Sequence, residues 1–160
     1  MRPGVGSATS VAASSSPASS TAASVILIGG GRTQLTEPAA ARDLYASPLF
    51  ARRRARAEAS GVPWFVVSGR WGLLDPGDFV APYTFSFGGQ SVNYRRAWGR
   101  FVAEQLCVVG SVGRGDVVEI WAAAGYAAAL TAPIQYLGAE VRRADVDGSD
   151  SGDDLRTPAR

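Results

Sequence analysis

The sequence predicts an α/β domain: a small, Rossmann-like, mostly parallel sheet flanked by helices, set between disordered N- and C-terminal tails. Three observations carry this. Residues 25–28 (VILI), 64–67 (WFVV) and 117–122 (VVEIWA) are runs of about one strand length. They are mostly apolar without strict alternation, the pattern of strands covered on both faces. Helical spacing occupies residues 48–60 and 92–109 between them, and strand–helix alternation favours a parallel sheet. Each apolar run also breaks into a short loop of glycines or small residues, at 29–32, 68–72 and 122–126. In a parallel sheet such loops gather at the carboxyl edge, where ligands bind.

The chain of 160 residues is long enough for one domain, and 46% apolar residues supply its core. All 16 basic residues are Arg, a bias of composition or a preference for bidentate anion recognition, and the net charge is +2. There is no His, which removes imidazole bases, Ser-His-Asp and Cys-His schemes, and His-ligated zinc. A single Cys excludes an intrachain disulfide and a thiolate metal cluster. No metal site and no cofactor fingerprint is expected.

Residues 1–24 form a Ser/Ala tract with almost no charge, read as a disordered tail. It lacks the apolar stretch of a secretory signal. No stretch is long and apolar enough to span a membrane, so a soluble, cytoplasmic protein without membrane partners is expected. The domain proper is expected over residues 25–144. The first strand runs into Gly29, Gly30, Gly31 and Arg32. Bare backbone N–H groups beside a cation can cradle an anion, or simply form a tight turn. The run matches neither the dinucleotide fingerprint nor the P-loop.

Residues 33–40 read as a loop and 41–46 as a short helical turn. Ser47-Pro48 has the chemistry of an N-cap followed by proline at the first helical position. That helix is predicted to run to Ser60 and stop at Gly61. Its Arg52, Arg53, Arg54 and Arg56 form either a solvated face or a track for phosphates.

After the second strand come Ser68, Gly69, Arg70, Trp71 and Gly72, a guanidinium and a flat apolar ring between glycines. Residues 75–90 read as irregular, opening with the turn Asp75-Pro76-Gly77-Asp78. Residues 82–87 alternate weakly, as a pocket rim or an edge strand. The helix at 92–109 carries Tyr94, Trp98, Phe101, Leu106 and Val109 as its apolar face, with Cys107 also assigned to the core, and ends at Gly110. After the third strand, residues 123–126 lead into an Ala-rich helix stopped or interrupted at Pro133. Residues 138–144 form a poorer last strand. Residues 145–160 are acidic and read as a disordered tail.

The segments GGGR (29–32), PAAARDLYASPLFARRR (38–54), VVSGRWGLLDP (66–76) and APYTFSF (81–87) resemble an uncharacterised bacterial and phage family common in actinobacteria. The resemblance spans residues 25–137. Its usual pattern places Cys at position 30, Lys at 32 and 70, His or Tyr at 71 and Asp at 84; here these are Gly30, Arg32, Arg70, Trp71 and Thr84. Asp43, Tyr45, Ser47, Ser68, Asp75, Tyr83 and Tyr126 keep the pattern. Asp43 and Tyr45 are read either as site residues or as structural, seating a helix start on the sheet. More distantly the family is similar to the peroxide-stress YaaA proteins and the archaeosine synthase core domain, which implies a nucleobase or nucleic-acid setting.

The expected function is a small nucleotide- or modified-nucleobase-related enzyme holding an anionic ligand at the carboxyl edge. Arg32 and Arg70 are expected to converge on the anion, with Gly29–Gly31, Tyr45, Ser47, Trp71, Gly72, Tyr83 and Tyr126 lining the ligand site; the alternative is that each Arg pairs with a local carboxylate, such as Glu37 or Asp75, and only fixes its loop. Asp75, Asp43 and Ser68 are the catalytic candidates; a carboxylate acts near neutral pH when burial raises its pKa. The alternatives are a non-catalytic nucleic-acid binder, for which 13 Arg against 9 acidic residues over 25–143 is a modest excess, or an inactive member acting through protein partners.

Overall fold

The computed structural model describes residues 22–144. The chain order is β1 (Val25–Gly29), β2 (Ala39–Ala40), α1 (Ala41–Leu44), α2 (Pro48–Ser60), β3 (Trp64–Ser68), β4 (Gly72–Leu74), β5 (Phe79–Val80), α3 (Val92–Val109), β6 (Val117–Trp121), α4 (Ala124–Tyr136) and β7 (Glu140–Arg143). Five strands form one sheet in the order β4-β3-β1-β6-β7, and β2 pairs with β5 alone. β3, β1, β6 and β7 are parallel; β4 is antiparallel to β3. The chain leaves β1 on one side, to β3, and returns on the other, to β6. The crevice between the ends of β1 and β6 is thus the topological switch point.

Side chains alternate across the strands, so each face builds its own core. Ile26, Ile28, Val66, Leu74 and Trp121 pack with Leu44, Tyr45, Phe50 and Ala57 from α1 and α2. Val25, Leu27, Val67, Val118 and Ile120 pack with Trp98, Val102 and Leu106 of α3 and with Tyr126, Leu130 and Ile134 of α4.

The caps follow the local chemistry. Ser47 Oγ accepts the Phe50 N–H, Pro48 occupies the first helical position, and Gly61 closes α2 at φ 69°. Ser91 Oγ caps α3 in the same way, and the Gly110 N–H returns to the Leu106 carbonyl. Among the described residues no helix is long and apolar enough to cross a membrane.

Several expectations change. Ser24 belongs to the sheet rather than to a tail: its N–H donates to the Val117 carbonyl at 2.8 Å and its hydroxyl accepts the Val117 N–H at 3.0 Å. Residues 68–72 are a hairpin turn, not an open loop. Gly72, at φ 77°, is the left-handed residue that closes a three-residue turn and starts β4. Residues 82–87 form no strand. Pro133 lies inside α4, which continues to Tyr136. Cys107, Phe101 and Val109 are exposed. The buried stripe of α3 is narrower than its apolar pattern: Trp98, Gly99, Val102, Ala103 and Leu106, the neighbours at three- and four-residue spacing. The acidic stretch 145–160 and most of the Ser/Ala tract lie outside the described residues.

Candidate functional site

A cavity of about 210 Å³ lies at the switch point. Gly29, Gly30, Gly31, Arg32 and Thr33 supply one wall, Ser47, Leu49, Phe50 and Arg53 of the α2 start a second, and Ala123 a third. Two of the glycines are required by close approach. A Cβ on Gly29 would stand 2.9 Å from the Ala122 Cβ, and one on Gly30 would stand 2.6 Å from the Tyr45 ring. A thiol-bearing side chain at position 30 would therefore require the Tyr45 ring to shift.

Arg53 was not among the sequence candidates for this site. It is 7% exposed, unlike its neighbours in the arginine run. Phe50, Arg53 and Ala57 are the buried residues of α2, spaced i, i+3 and i+7. That spacing was the signal in the sequence: an arginine on the apolar stripe of a helix is turned inward. Guanidinium stays charged when buried. No carboxylate lines the cavity among the described residues. The positive end of the α2 dipole points the same way, although Ser47 Oγ spends itself on the Phe50 N–H and Pro48 has no N–H to give.

Beside the cavity the ends of β1 and β3 hold a cluster of hydroxyls. The Tyr83 hydroxyl lies 2.7 Å from the Tyr45 hydroxyl and 2.7 Å from Ser68 Oγ. Ser68 Oγ accepts the Trp71 N–H at 3.1 Å and is almost wholly buried. The Tyr83 N–H donates to Gln34 Oε1, which fixes the segment over the edge. Burial, then the neighbouring Tyr83, pushes the Tyr45 phenol far above its ordinary range, against a smaller opposing pull from Ser68. Tyr45 thus stays protonated and serves as a hydrogen-bonding group, not as a base.

Trp71 stands at the hairpin tip, 47% exposed. The Arg70 guanidinium lies 4.9 Å from its ring centroid. Tyr83 meets it edge-on at 6.5 Å. Arg32 lines the cavity and Arg70 does not; the two loops share the sheet edge, since Gly29 is in register with Val67. Gly72 lies under α3, where a Cβ would meet Gln105 Oε1 at 2.5 Å. Tyr126 is buried in the α3/α4 core, stacked on Phe87 at 4.4 Å.

Neither candidate carboxylate lines the cavity. Asp43 pairs with Arg54 at 2.7 Å and lies in a separate groove formed by α1 and α2. β4 runs back from the carboxyl edge and carries Asp75 away with it; Asp75 Oδ1 accepts the Gly77 N–H within its own turn. The arginine run is similarly engaged. Arg54 also pairs with Glu58 at 2.9 Å, and Arg56 lies 5.9 Å from the Trp121 ring centroid. Residues 25–156 match the sequence model of a family of unknown function (DUF6884). No curated protein matches the chain.

Proposed function

We propose that this chain, which belongs to the DUF6884 family of unknown function, binds a small phosphorylated ligand of the nucleotide class at the carboxyl edge of its sheet. The observation that carries this reading is the cavity at the switch point, with Arg32 and Arg53 in its lining and no carboxylate among the described residues there. At about 210 Å³ it is smaller than a site for a whole drug-sized ligand, and suits an anionic group. Arg favours phosphate because its fork of donors meets two oxygens at once. Support for the nucleotide class comes from the half-exposed Trp71 with Arg70 beside its ring, since a base stacks on such a surface. The motif resemblance to nucleobase-related proteins points the same way.

In this reading Arg32 and Arg53 hold the phosphate, the Tyr83 hydroxyl faces the sugar, and Trp71 takes the ring. Ser68, Tyr45 and Tyr83 act as hydrogen-bonding groups. The test is calorimetric titration with inorganic phosphate, ribose 5-phosphate and nucleoside monophosphates. Phosphate and sugar phosphate are expected to bind, nucleoside monophosphates more tightly. Arg32→Gln should weaken all three, and Trp71→Ala only the nucleotides. Absence of binding by every phosphate probe to the folded wild-type chain refutes the reading.

A further inference from the structure

The outer face of α3 carries a second pattern, turned away from the core. At about 100° per residue, Ala97, Phe101, Glu104 and Val108 fall within about 60° of one another, opposite the buried stripe. All four are exposed, Phe101 at 50% and Val108 at 80%. Their spacing alternates between four and three residues, the period of a seam that packs against another helix. Phe101 is held ready. Its ring lies against Gly72, where an added Cβ would stand 2.9 Å from it. An aromatic side chain fixed in advance loses little freedom when a partner covers it. On the neighbouring edge strand β4 the Leu73 N–H is taken by Gln105 Oε1 at 2.8 Å, which blunts strand pairing there.

We infer that two copies of this chain associate through this face, α3 against α3, antiparallel about a two-fold axis. The charges select the orientation. Glu104 occupies an inward position of the seam, so parallel helices in register would set it against its own copy, two carboxylates in one layer. Antiparallel helices that cross midway between Val102 and Ala103 instead set Ala97 against Val108 of the second copy, and Phe101 against its Glu104. Arg100 then stands within about 1.5 Å, along the axis, of the level of Glu104 in the second copy. The interface thus holds two Arg100–Glu104 pairs. Within one chain these residues are four apart in the weaker order, Arg first, and among the described residues neither belongs to a salt bridge. The two Phe101 rings come within about 4.5 Å of each other along the axis and fill the centre. Val108 over Ala97, a larger residue on a smaller one, closes each end. The opposed helix dipoles favour the same arrangement. Because α3 packs on the sheet face opposite α2, this association does not depend on the ligand reading.

Sedimentation equilibrium of the full chain is expected to show monomer and dimer, with a dissociation constant of about 10–100 μM. Phe101→Glu and Val108→Asp should each raise that constant about tenfold or more. The second replaces a side chain that is 80% exposed, so the fold does not rest on it. Glu104→Arg should weaken association, and adding Arg100→Glu to it should restore it. Orientation is read by oxidising chains that carry Cys107→Ser. Ala97→Cys together with Val108→Cys should give a disulfide-linked dimer. Either alone should not, because like positions lie at least about 16 Å apart in the antiparallel pair. A chain that stays monomeric at about 1 mM overturns the inference, since a dimer of the expected strength would then predominate. So does a dimer that Phe101→Glu and Val108→Asp both leave intact, or one that the charge exchange fails to restore. So too does a dimer that the paired cysteines fail to link or that a single cysteine links.

Discussion

Tyr45 shows how much one residue's surroundings alter its chemistry. As a sequence symbol it fits a ligand site. In the fold its ring fills the space above Gly30, and its hydroxyl is held by Tyr83. Burial keeps it protonated, which links it to stability in alkali. Unfolded, the phenol ionises near its ordinary value of 10.0; folded, it does not. The raised native pKa leaves stability untouched below that pH. Above it, stability falls by about 1.36 kcal/mol per pH unit from this group alone. Tyr45→Phe is expected to flatten that component, and to cost about 1 kcal/mol near neutral pH through the lost hydrogen bond. Urea melts at intervals between pH 8 and 11 check both. An identical alkaline slope in wild type and variant would place the titration elsewhere. Arg53 makes the same point from the opposite side: an arginine in a basic run, which the sequence reads as a solvated face or a phosphate track, is buried in the cavity wall.

At the scale of elements, α3 and α4 meet at a contact that depends on two residues together. Pro133 has no N–H, so the Ala129 carbonyl receives no intrahelical donor from it. The backbone of Gly99 on α3 comes against that carbonyl, and a Cβ at position 99 would collide with it. Glycine in the middle of a helix normally costs about 1 kcal/mol relative to Ala. Here the order reverses, because the obstacle is backbone and cannot swing aside. Gly99→Ala is expected to destabilise by about 1–3 kcal/mol or more. A denaturation midpoint equal to or above wild type would show that the helices separate freely. On α3 the residues that the apolar pattern selects differ from those that packing buries. Trp98 is in the core and its Nε1–H donates to the Ser68 carbonyl at 2.9 Å. Phe101 lies three residues on and is half exposed, since the partner surface is narrower than the apolar arc.

For the whole molecule, the boundary of the folded unit decides what can be removed. The Ser/Ala composition of residues 1–21 offers no apolar face to bury. Ser24, by contrast, closes the start of β1 against Val117. Deleting residues 1–21 is therefore expected to leave the melting temperature unchanged. Extending the deletion through Ser24 should lower it by several degrees, since each lost kilocalorie shifts a domain of this size by roughly 4 °C. Calorimetry on the two truncations checks this; a large drop with the first would make the tract part of the fold. The sequence by itself determined the parallel strands, both long helices, the Ser47-Pro48 start of α2 and the glycine stops of α2 and α3, because apolar periodicity, a Ser-Pro start and glycine stops act within a few residues of themselves; the Ser91 cap of α3 was seen only in the structure. It also pointed to the carboxyl edge, since strand ends in glycine are local features. Only the tertiary structure decided which side chains meet there. Whether Arg32 shares a cavity with Arg53 or with Arg70 depends on strand order and on the turn at Gly72. That turn sends β4, and Asp75 with it, back along the sheet. Those are long-range pairings, and no single stretch of chain encodes them.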